Sequence, residues 1–222
     1  MLNLIICAIM DDAKFVITVG RQFGSGGREV GRYIADKLGV AYYDKELLAE
    51  ASKDSGVCAE FFERADERSP SFFDNLFSFN PGYTISPIMG TQSPISPDNI
   101  YAMQCKVIMQ LAKERSCVIV GRSADYVLRN HPCCINVFLH ASIQSRVRRI
   151  MSRRDCGSDE EAAAIARKKD KLRANFYNYY TEKVWGSAAS YDLSVDTTHL
   201  SVEEVGDLII EYCKMRFQEA FE

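Results

Sequence analysis

The 222-residue sequence has few of the residues that build metal and redox centres. Its three histidines, at positions 131, 140 and 199, share no spacing, and its eight cysteines include no C-x-x-C pair. Zinc sites and thioredoxin-like redox motifs depend on such spacings, so the sequence predicts neither. We interpret the scattered cysteines, such as Cys117 in the apolar run 117–120, as small core residues of a cytoplasmic protein.

The sequence also lacks a basic excess and a long hydrophobic run. Its 27 Lys and Arg against 30 Asp and Glu give a formal charge of −3, which argues against a nucleic-acid partner. The apolar stretch 2–10 is shorter than the roughly 20 residues of a membrane span and has no basic flank, so we expect no membrane partner. With 47% hydrophobic residues, the composition is typical of globular proteins, and we treat 1–222 as a single domain.

Short apolar runs alternate with helical patterns along most of the chain. The apolar runs predict strands at 15–19, 40–43, 117–120, 134–139 and 191–195. The helical patterns cover 30–38, 45–54, 58–67, 98–114 with Asp98 as N-cap, 124–129, 142–155, 159–180 and 202–217. This alternation predicts an α/β fold in which a five-stranded parallel sheet carries helices on both faces.

Residues 69–98 interrupt the alternation. They hold five of the six prolines and four phenylalanines, at positions 72, 73, 77 and 79. We predict an insertion outside the sheet, which is either a surface loop, a lid or a homo-oligomer contact. The aromatic residues favour partial order over a fully solvated loop.

A glycine-rich segment, residues 20–29 (GRQFGSGGRE), lies between the first predicted strand and the first predicted helix. Glycines there let successive backbone N–H groups point at an anion, and the N-terminus of the following helix adds a favourable dipole. The segment therefore predicts a phosphate-binding loop. A glycine-rich turn without a ligand is the alternative interpretation.

Two known phosphate-binding motifs fit this segment imperfectly. When Gly26 is the second glycine of G-x-x-x-x-G-K-[ST], Gly27 stands in place of the lysine and Arg28 in place of the Ser/Thr. Ser25 is then the nearest hydroxyl for Mg²⁺. The dinucleotide fingerprint G-x-G-x-x-G has glutamate at its last glycine here, so a dinucleotide-dependent oxidoreductase is the weaker functional alternative.

The near-neutral total charge hides a basic segment at 146–173, which holds ten basic and five acidic residues. Within it, Arg146, Arg149 and Arg153 recur at i, i+3 and i+7, so they share one helical face. Arginines on a lid can neutralise a phosphoryl group in transfer, and we predict this role for the three. A solvated charged face is the alternative.

Four motifs together point to a known family: RQFGSGGRE at 21–29, YYDKEL at 42–47, VIVGRSAD at 118–125 and VFLHAS at 137–142. With them, the chain resembles the cytidylate kinase-like branch of the P-loop nucleoside monophosphate kinases from about residue 14 to its end. The resemblance implies a three-layer P-loop kinase fold, with a helical lid at about 142–180 and a helical, Pro-rich insertion. It also implies ATP-dependent phosphoryl transfer, with Mg²⁺, to a small acceptor such as a nucleoside monophosphate.

The resemblance implies roles for named residues. The donor nucleotide would bind at Gly24, Ser25, Gly26, Gly27, Arg28 and Glu29. The acceptor would bind at Asp44, Arg122, Lys168, Asp170 and Arg173. The catalytic cations would be Arg28, Arg122, Arg146, Arg149 and Arg153.

The chain departs from the family pattern at several acids. Val120, Ser123 and Leu172 stand where typical cytidylate kinases carry acidic residues. In the resemblance, the changes at Ser123 and Leu172 argue against CMP as the acceptor. Val120 also weakens the expected Mg²⁺ site, for which Asp44, Asp125 and Asp170 are alternative ligands. Together with the missing loop lysine, this leaves a second hypothesis: a catalytically degenerate nucleotide-binding module that senses or scaffolds.

Overall fold

The computed structural model describes residues 14–44, 97–153 and 156–218, and these contain a five-stranded sheet in the order β2-β3-β1-β4-β5. The strands are β1 (Val16–Arg21), β2 (Ala41–Tyr43), β3 (Cys117–Val120), β4 (Cys134–His140) and β5 (Leu193–Asp196). Every neighbouring pair is parallel. The predicted five-stranded parallel sheet is therefore confirmed.

Six α-helices accompany these strands in the described ranges. They are α1 (Gly27–Leu38), α2 (Pro97–Glu114), α3 (Ala124–Val127), α4 (Ile143–Ser152), α5 (Asp159–Thr181) and α6 (Val202–Gln218). The predicted N-cap role of Asp98 is wrong, because α2 begins at Pro97 and Asp98 lies in its first turn. Proline suits that first position since its missing N–H would have no helical partner there.

Two further boundaries differ from the sequence prediction. Helix α4 ends at Ser152 with Arg153 as its C-cap, so the predicted end at residue 155 is wrong. Strand β5 begins at Leu193 rather than at residue 191, which follows a short 3₁₀ turn. The helices predicted at 45–54 and 58–67, nearly all of the insertion 69–98 and the N-terminal stretch 1–13 lie outside the described residues.

Two hydrophobic cores lie on opposite faces of the sheet. Ile17 and Val19 of β1 point into the core formed with α1 and α6. Val16 of the same strand points into the core formed with α2 and α3. Because successive strand residues face opposite sides, apolar residues are needed at every position of a strand that is covered on both faces. The three layers follow from this pattern.

Helix α1 packs closely onto the sheet because it has a glycine at its contact face. A Cβ on Gly31 would lie 2.8 Å from Cγ2 of Val120 and 3.2 Å from the ring of Tyr42. Both atoms belong to the neighbouring strands β3 and β2. This close approach sets where the N-terminus of α1 stands above the carboxyl edge of the sheet.

We expect Gly31→Val to destabilise the protein by about 1–3 kcal/mol, because the added methyl groups overpack the contact with Val120. Asp36→Val, at an exposed position of the same helix, should change the free energy of unfolding by less than about 0.5 kcal/mol. Urea unfolding measures both values. Equal losses for the two variants would contradict the close-packing role of Gly31.

Candidate active site

The glycine-rich loop places an unobstructed helix N-terminus at the edge of the sheet. Gly24 and Gly26 have φ values of 81° and 87°, a left-handed conformation that favours glycine. Gly26 precedes α1, no side chain caps the helix there, and a Cβ on Gly26 would meet nothing within 4 Å. The N-terminus of α1 is therefore uncapped by a side chain and has open space beside Gly26, as an anion site there requires.

Ser25 anchors the loop to β4. Its buried hydroxyl lies 3.0 Å from the carbonyl oxygen of Gln22 and 3.2 Å from that of Leu139, and it can donate to either. The Ser25 carbonyl in turn accepts a hydrogen bond of 2.9 Å from the Thr197 hydroxyl. The hydroxyl that the sequence suggested for Mg²⁺ thus already holds the loop in place.

A buried ion pair joins the loop to the two helices α4 and α5. Asp170 of α5 accepts a hydrogen bond of 2.7 Å from the backbone N–H of Phe23, and its second oxygen pairs with Arg146 of α4. Arg146 also donates to the Phe23 carbonyl oxygen at 3.3 Å. Only 8% of the Arg146 side chain and 14% of the Asp170 side chain are exposed. The catalytic role of Arg146 and the acceptor role of Asp170 remain predictions, and either would require this pair to open.

The other two arginines of the predicted lid face also have protein partners. Arg149 donates to the carbonyl oxygen of Thr197 at 2.6 Å and to its hydroxyl at 3.1 Å. Arg153 forms an ion pair with Glu29 in the first turn of α1. In this structure the face therefore braces the phosphate loop and its surroundings. Lys168, for which acceptor binding is predicted, is exposed on α5.

Four arginines from separate segments converge beside the loop. They are Arg21 at the end of β1, Arg28 in the first turn of α1, Arg122 after β3 and Arg173 in α5. The pKa of Arg21 is well below its ordinary value, because burial and the charges of the other three disfavour its cationic form. Burial, together with repulsion from Arg28 and Arg146, lowers the pKa of Arg173 to about 10 despite attraction by Asp170. Arg21 and Arg173 are therefore each repelled by other cations of the site.

Two carboxylates, those of Asp44 and Asp170, lie near this cluster. Asp44 is buried and has an oxygen 4.0 Å from Nε of Arg28, and it accepts a hydrogen bond of 3.3 Å from the Tyr42 hydroxyl. The carboxylate of Asp170 is shared between Arg146 and the backbone of Phe23. Both carboxylates therefore help to hold the site, Asp44 beside Arg28 and Asp170 beside the loop.

A pocket opens beside the cluster at the carboxyl ends of β1 and β3, where ligands of parallel sheets bind. Arg21, Arg122 and Arg173 form its cationic side. Its aromatic side consists of Phe176, Tyr177, Trp185 and Tyr191. The lining of the pocket therefore combines cationic and aromatic side chains.

The turn after β3 is strained where it meets this pocket. Arg122 and Ser123 both have left-handed backbones, with φ values of 64° and 51°, and both are buried. The Ser123 hydroxyl has no hydrogen-bond partner among the described residues. Backbone strain and an unpaired buried polar group both lower the stability of the folded protein, and both are typical of functional sites.

No metal site emerges among residues 14–44, 97–153 and 156–218, where no three His, Cys, Asp or Glu side chains come together. The three candidate Mg²⁺ ligands stand apart in their contacts. Asp44 lies beside Arg28, Asp170 is paired with Arg146, and Asp125 accepts a hydrogen bond of 2.6 Å from the Tyr177 hydroxyl. Burial raises the pKa of Asp125, which makes it a poorer ligand for a cation.

Sequence reasoning missed two components of this site. It assigned no role to Arg21, although an arginine at the first glycine position of G-x-x-x-x-G-K-[ST] is itself a departure that could have drawn attention. It also missed the aromatic side of the pocket. The aromatic residues come from three separate places in the chain, and no spacing in the sequence links them.

A family model for the cytidylate kinase-like family matches residues 16–199. A similar protein from Thermococcus kodakarensis, named cytidylate kinase, is 25% identical over 191 residues, covering 86% of this chain and 83% of its own. A second, from Pyrobaculum aerophilum and also named cytidylate kinase, is 22% identical over 198 residues, covering 89% and 91%.

Solved structures show the same fold. An uncharacterized protein from Eubacterium ventriosum has a TM-score of 0.68 and 26% identity, covering 90% of this chain and 99% of its own. Shikimate kinase from Acinetobacter baumannii has a TM-score of 0.51 and 14% identity, covering 94% and 97%. The P-loop kinase fold is thereby confirmed.

No helix within the described ranges is both long and apolar enough to cross a membrane.

The ion pair between Arg146 and Asp170 generates a testable prediction. Asp170→Ala should destabilise the protein by about 3–5 kcal/mol, because it leaves the buried Arg146 without a counter-charge. Arg146→Met is the second single variant. The double variant Arg146→Met/Asp170→Ala should lose clearly less free energy of unfolding than the two single variants lose in sum. Urea unfolding of all three measures the coupling. Additive losses would show that the two side chains do not act as a pair.

Proposed function

Because the chain belongs to the cytidylate kinase-like family, we propose that it transfers the γ-phosphoryl group of ATP to a small acceptor, most specifically a nucleoside monophosphate. Family membership and the P-loop kinase neighbours support a phosphotransferase. The observation that carries the proposal further is the convergence of Arg21, Arg28, Arg122 and Arg173 beside the glycine loop.

The donor triphosphate would bind at residues 24–29. Backbone N–H groups of the loop and of the α1 N-terminus would hold its phosphates, and Arg28 is placed one residue inside that helix to add a charge. Arg28 is half exposed, and its Nε lies 4.0 Å from an oxygen of Asp44. Glu29 and Arg153 would fix the first turn of α1 through their ion pair.

The acceptor would bind in the pocket beyond β1 and β3. Arg122 and Arg173 would hold an acceptor phosphate, and the aromatic side chains would stack on a base. The unpaired hydroxyl of Ser123 would find a partner in such a ligand. Asp44, Lys168 and Asp170 complete the proposed acceptor side from β2 and α5. A phosphate joined to a flat ring is the chemistry of a nucleotide.

Catalysis would follow from position and charge rather than from a covalent intermediate. Phosphoryl transfer is accelerated when cations neutralise the oxygens of the group in transfer. Arg28 and Arg122 would do so directly. Arg146, Arg149 and Arg153 would belong to the lid formed by α4 and α5, whose contacts with the loop keep the other groups in register.

Mg²⁺ would supply further neutralisation of the phosphates, as it does in kinases generally. It usually keeps several waters and takes its remaining ligands from phosphates and one or two carboxylates. The described residues offer no preformed carboxylate cage, which fits an ion that arrives with the nucleotide.

The six described cysteines are free thiols, which is consistent with the proposed cytoplasmic location.

The competing candidate is a nucleotide-binding module without transfer activity. It is favoured by Gly27 in place of the loop lysine and by Val120, which is fully buried in the core where an acid is expected. Calorimetry separates the two functions. A kinase should bind ATP more tightly with Mg²⁺ than without, whereas equal binding in both conditions would favour the module.

The test of transfer is a coupled assay for ADP release with ATP, Mg²⁺ and a panel of acceptors. The panel holds the common nucleoside monophosphates, together with shikimate as an acceptor that is not a nucleotide. We expect turnover with at least one monophosphate. ATP binding without turnover on any acceptor would contradict the kinase proposal.

Arg122→Ala should lower kcat/KM for the acceptor by about 100-fold or more, because it removes the buried cation of the acceptor side. The Kd for ATP, measured by calorimetry, should stay within about threefold of its original value. Arg129→Ala is the matched control, since this exposed arginine bonds only to its own turn among the described residues. Parallel losses of ATP affinity and turnover in Arg122→Ala would contradict the acceptor role.

A further inference from the structure

Arg21 occupies the place that a side chain at position 27 would need. A Cβ on Gly27 would lie 2.7 Å from Cγ and 2.8 Å from Cβ of Arg21, which is closer than packed atoms approach. In the motif G-x-x-x-x-G-K-[ST], position 27 carries the lysine and position 21 the first glycine. The chain thus has the two residue types exchanged, with the long cation at 21 and the glycine at 27.

The guanidinium of Arg21 reaches the turn after β3. A Cβ on Gly121 would overlap Nη1 of Arg21, so this glycine also makes room for the side chain. Arg21 therefore passes the N-terminal residue of α1 and ends beside Arg122, between the phosphate loop and the acceptor side of the pocket. A group being passed from donor to acceptor would have to cross this position.

The surroundings of Arg21 leave its charge without a counter-ion. No carboxylate pairs with its guanidinium in the part of the chain that the structure describes, and its closest charged neighbours are Arg173, Arg122 and Arg28. Its backbone is fixed, because the Arg21 carbonyl accepts a hydrogen bond of 2.9 Å from Arg173. A fixed, desolvated and unneutralised cation is costly unless an anion binds to it.

We propose that Arg21 performs the task of the missing loop lysine and contacts the phosphoryl group in transfer. This inference rests on the proposed kinase function. In the reaction, an acceptor oxygen forms a bond to the γ-phosphorus while the bond from that phosphorus to the β–γ bridging oxygen breaks, and ADP leaves with the electron pair. The planar guanidinium of Arg21 would hold two oxygens of the moving group, where a lysine would offer a point charge.

Arg21→Met tests the proposal, because methionine fills much of the same channel without the charge. We expect kcat to fall by about 100-fold or more. Without ligand, the melting temperature should stay equal or rise, since a repelled cation is removed. Arg115→Met, at an exposed arginine before β3, is the matched control and should leave kcat unchanged.

Tripolyphosphate provides a readout that does not depend on turnover. At a free concentration about a hundredfold above its Kd, it should raise the melting temperature of the unaltered protein by about 5–10 °C. This increase should be largely lost in Arg21→Met and kept in Arg115→Met. A purely structural arginine would instead lower the melting temperature on removal and leave the increase intact, and that result would overturn the proposal.

The exchanged variant Arg21→Gly/Gly27→Lys returns the long cation to position 27. It should recover at least about tenfold in kcat over Arg21→Gly, and no recovery would count against the proposal. Failure of the inference is distinguishable from failure of the kinase function. An active protein whose kcat survives Arg21→Met within about threefold overturns the inference alone, whereas an unaltered protein inactive on every acceptor overturns the kinase function.

Discussion

The carboxylate of Asp170 is the contact on which the geometry of the site depends. It holds the backbone of Phe23, and therefore the phosphate loop, and it pairs with Arg146 of the neighbouring helix. Both α4 and α5 are fixed to the loop through this one group. It also offsets part of the repulsion on Arg173, a single turn further along α5. It thus complements the contacts of Ser25 with Leu139 and Thr197, which hold the loop to the sheet.

Repulsion among the clustered arginines lowers the stability of the folded protein. Arginine side chains remain charged at neutral pH, so their mutual repulsion opposes folding wherever counter-charges are lacking. For Arg173, whose pKa in the folded protein is lowered to about 10, the cost is present at neutral pH and is relieved only as the pH rises above that value. A bound polyanion would reduce this repulsion at neutral pH, so its binding would raise the free energy of unfolding.

The described part of the fold could be predicted from the sequence, because strands that are covered on both faces carry nearly continuous apolar runs, as β1, β3 and β4 do. The helices predicted at 45–54 and 58–67 and nearly all of the insertion 69–98 stay predictions. The glycine loop was also predictable, since glycine spacing records left-handed backbone at Gly24 and Gly26. The partners of the arginines were not. Arg146, Arg149 and Arg153 share a helical face as predicted, but each has a partner on a different element. Arg149 bonds to Thr197 and Arg153 pairs with Glu29, both more than 45 residues away along the chain. Arg146 pairs with Asp170 of the neighbouring helix α5.

The arginines that stand out in the sequence are therefore mostly not the ones that cluster in the structure. The basic segment 146–173 stands out in the sequence, yet its three regularly spaced arginines are engaged in bracing the loop. The repulsion that lowers the pKa of Arg21 comes instead from Arg28, Arg122 and Arg173, of which only the last belongs to that segment. The four lie in a strand end, a helix start, a turn and a second helix, so no single stretch of the sequence contains them. Only the parallel order of the strands, which brings the ends of β1 and β3 to one edge of the sheet, places these arginines together.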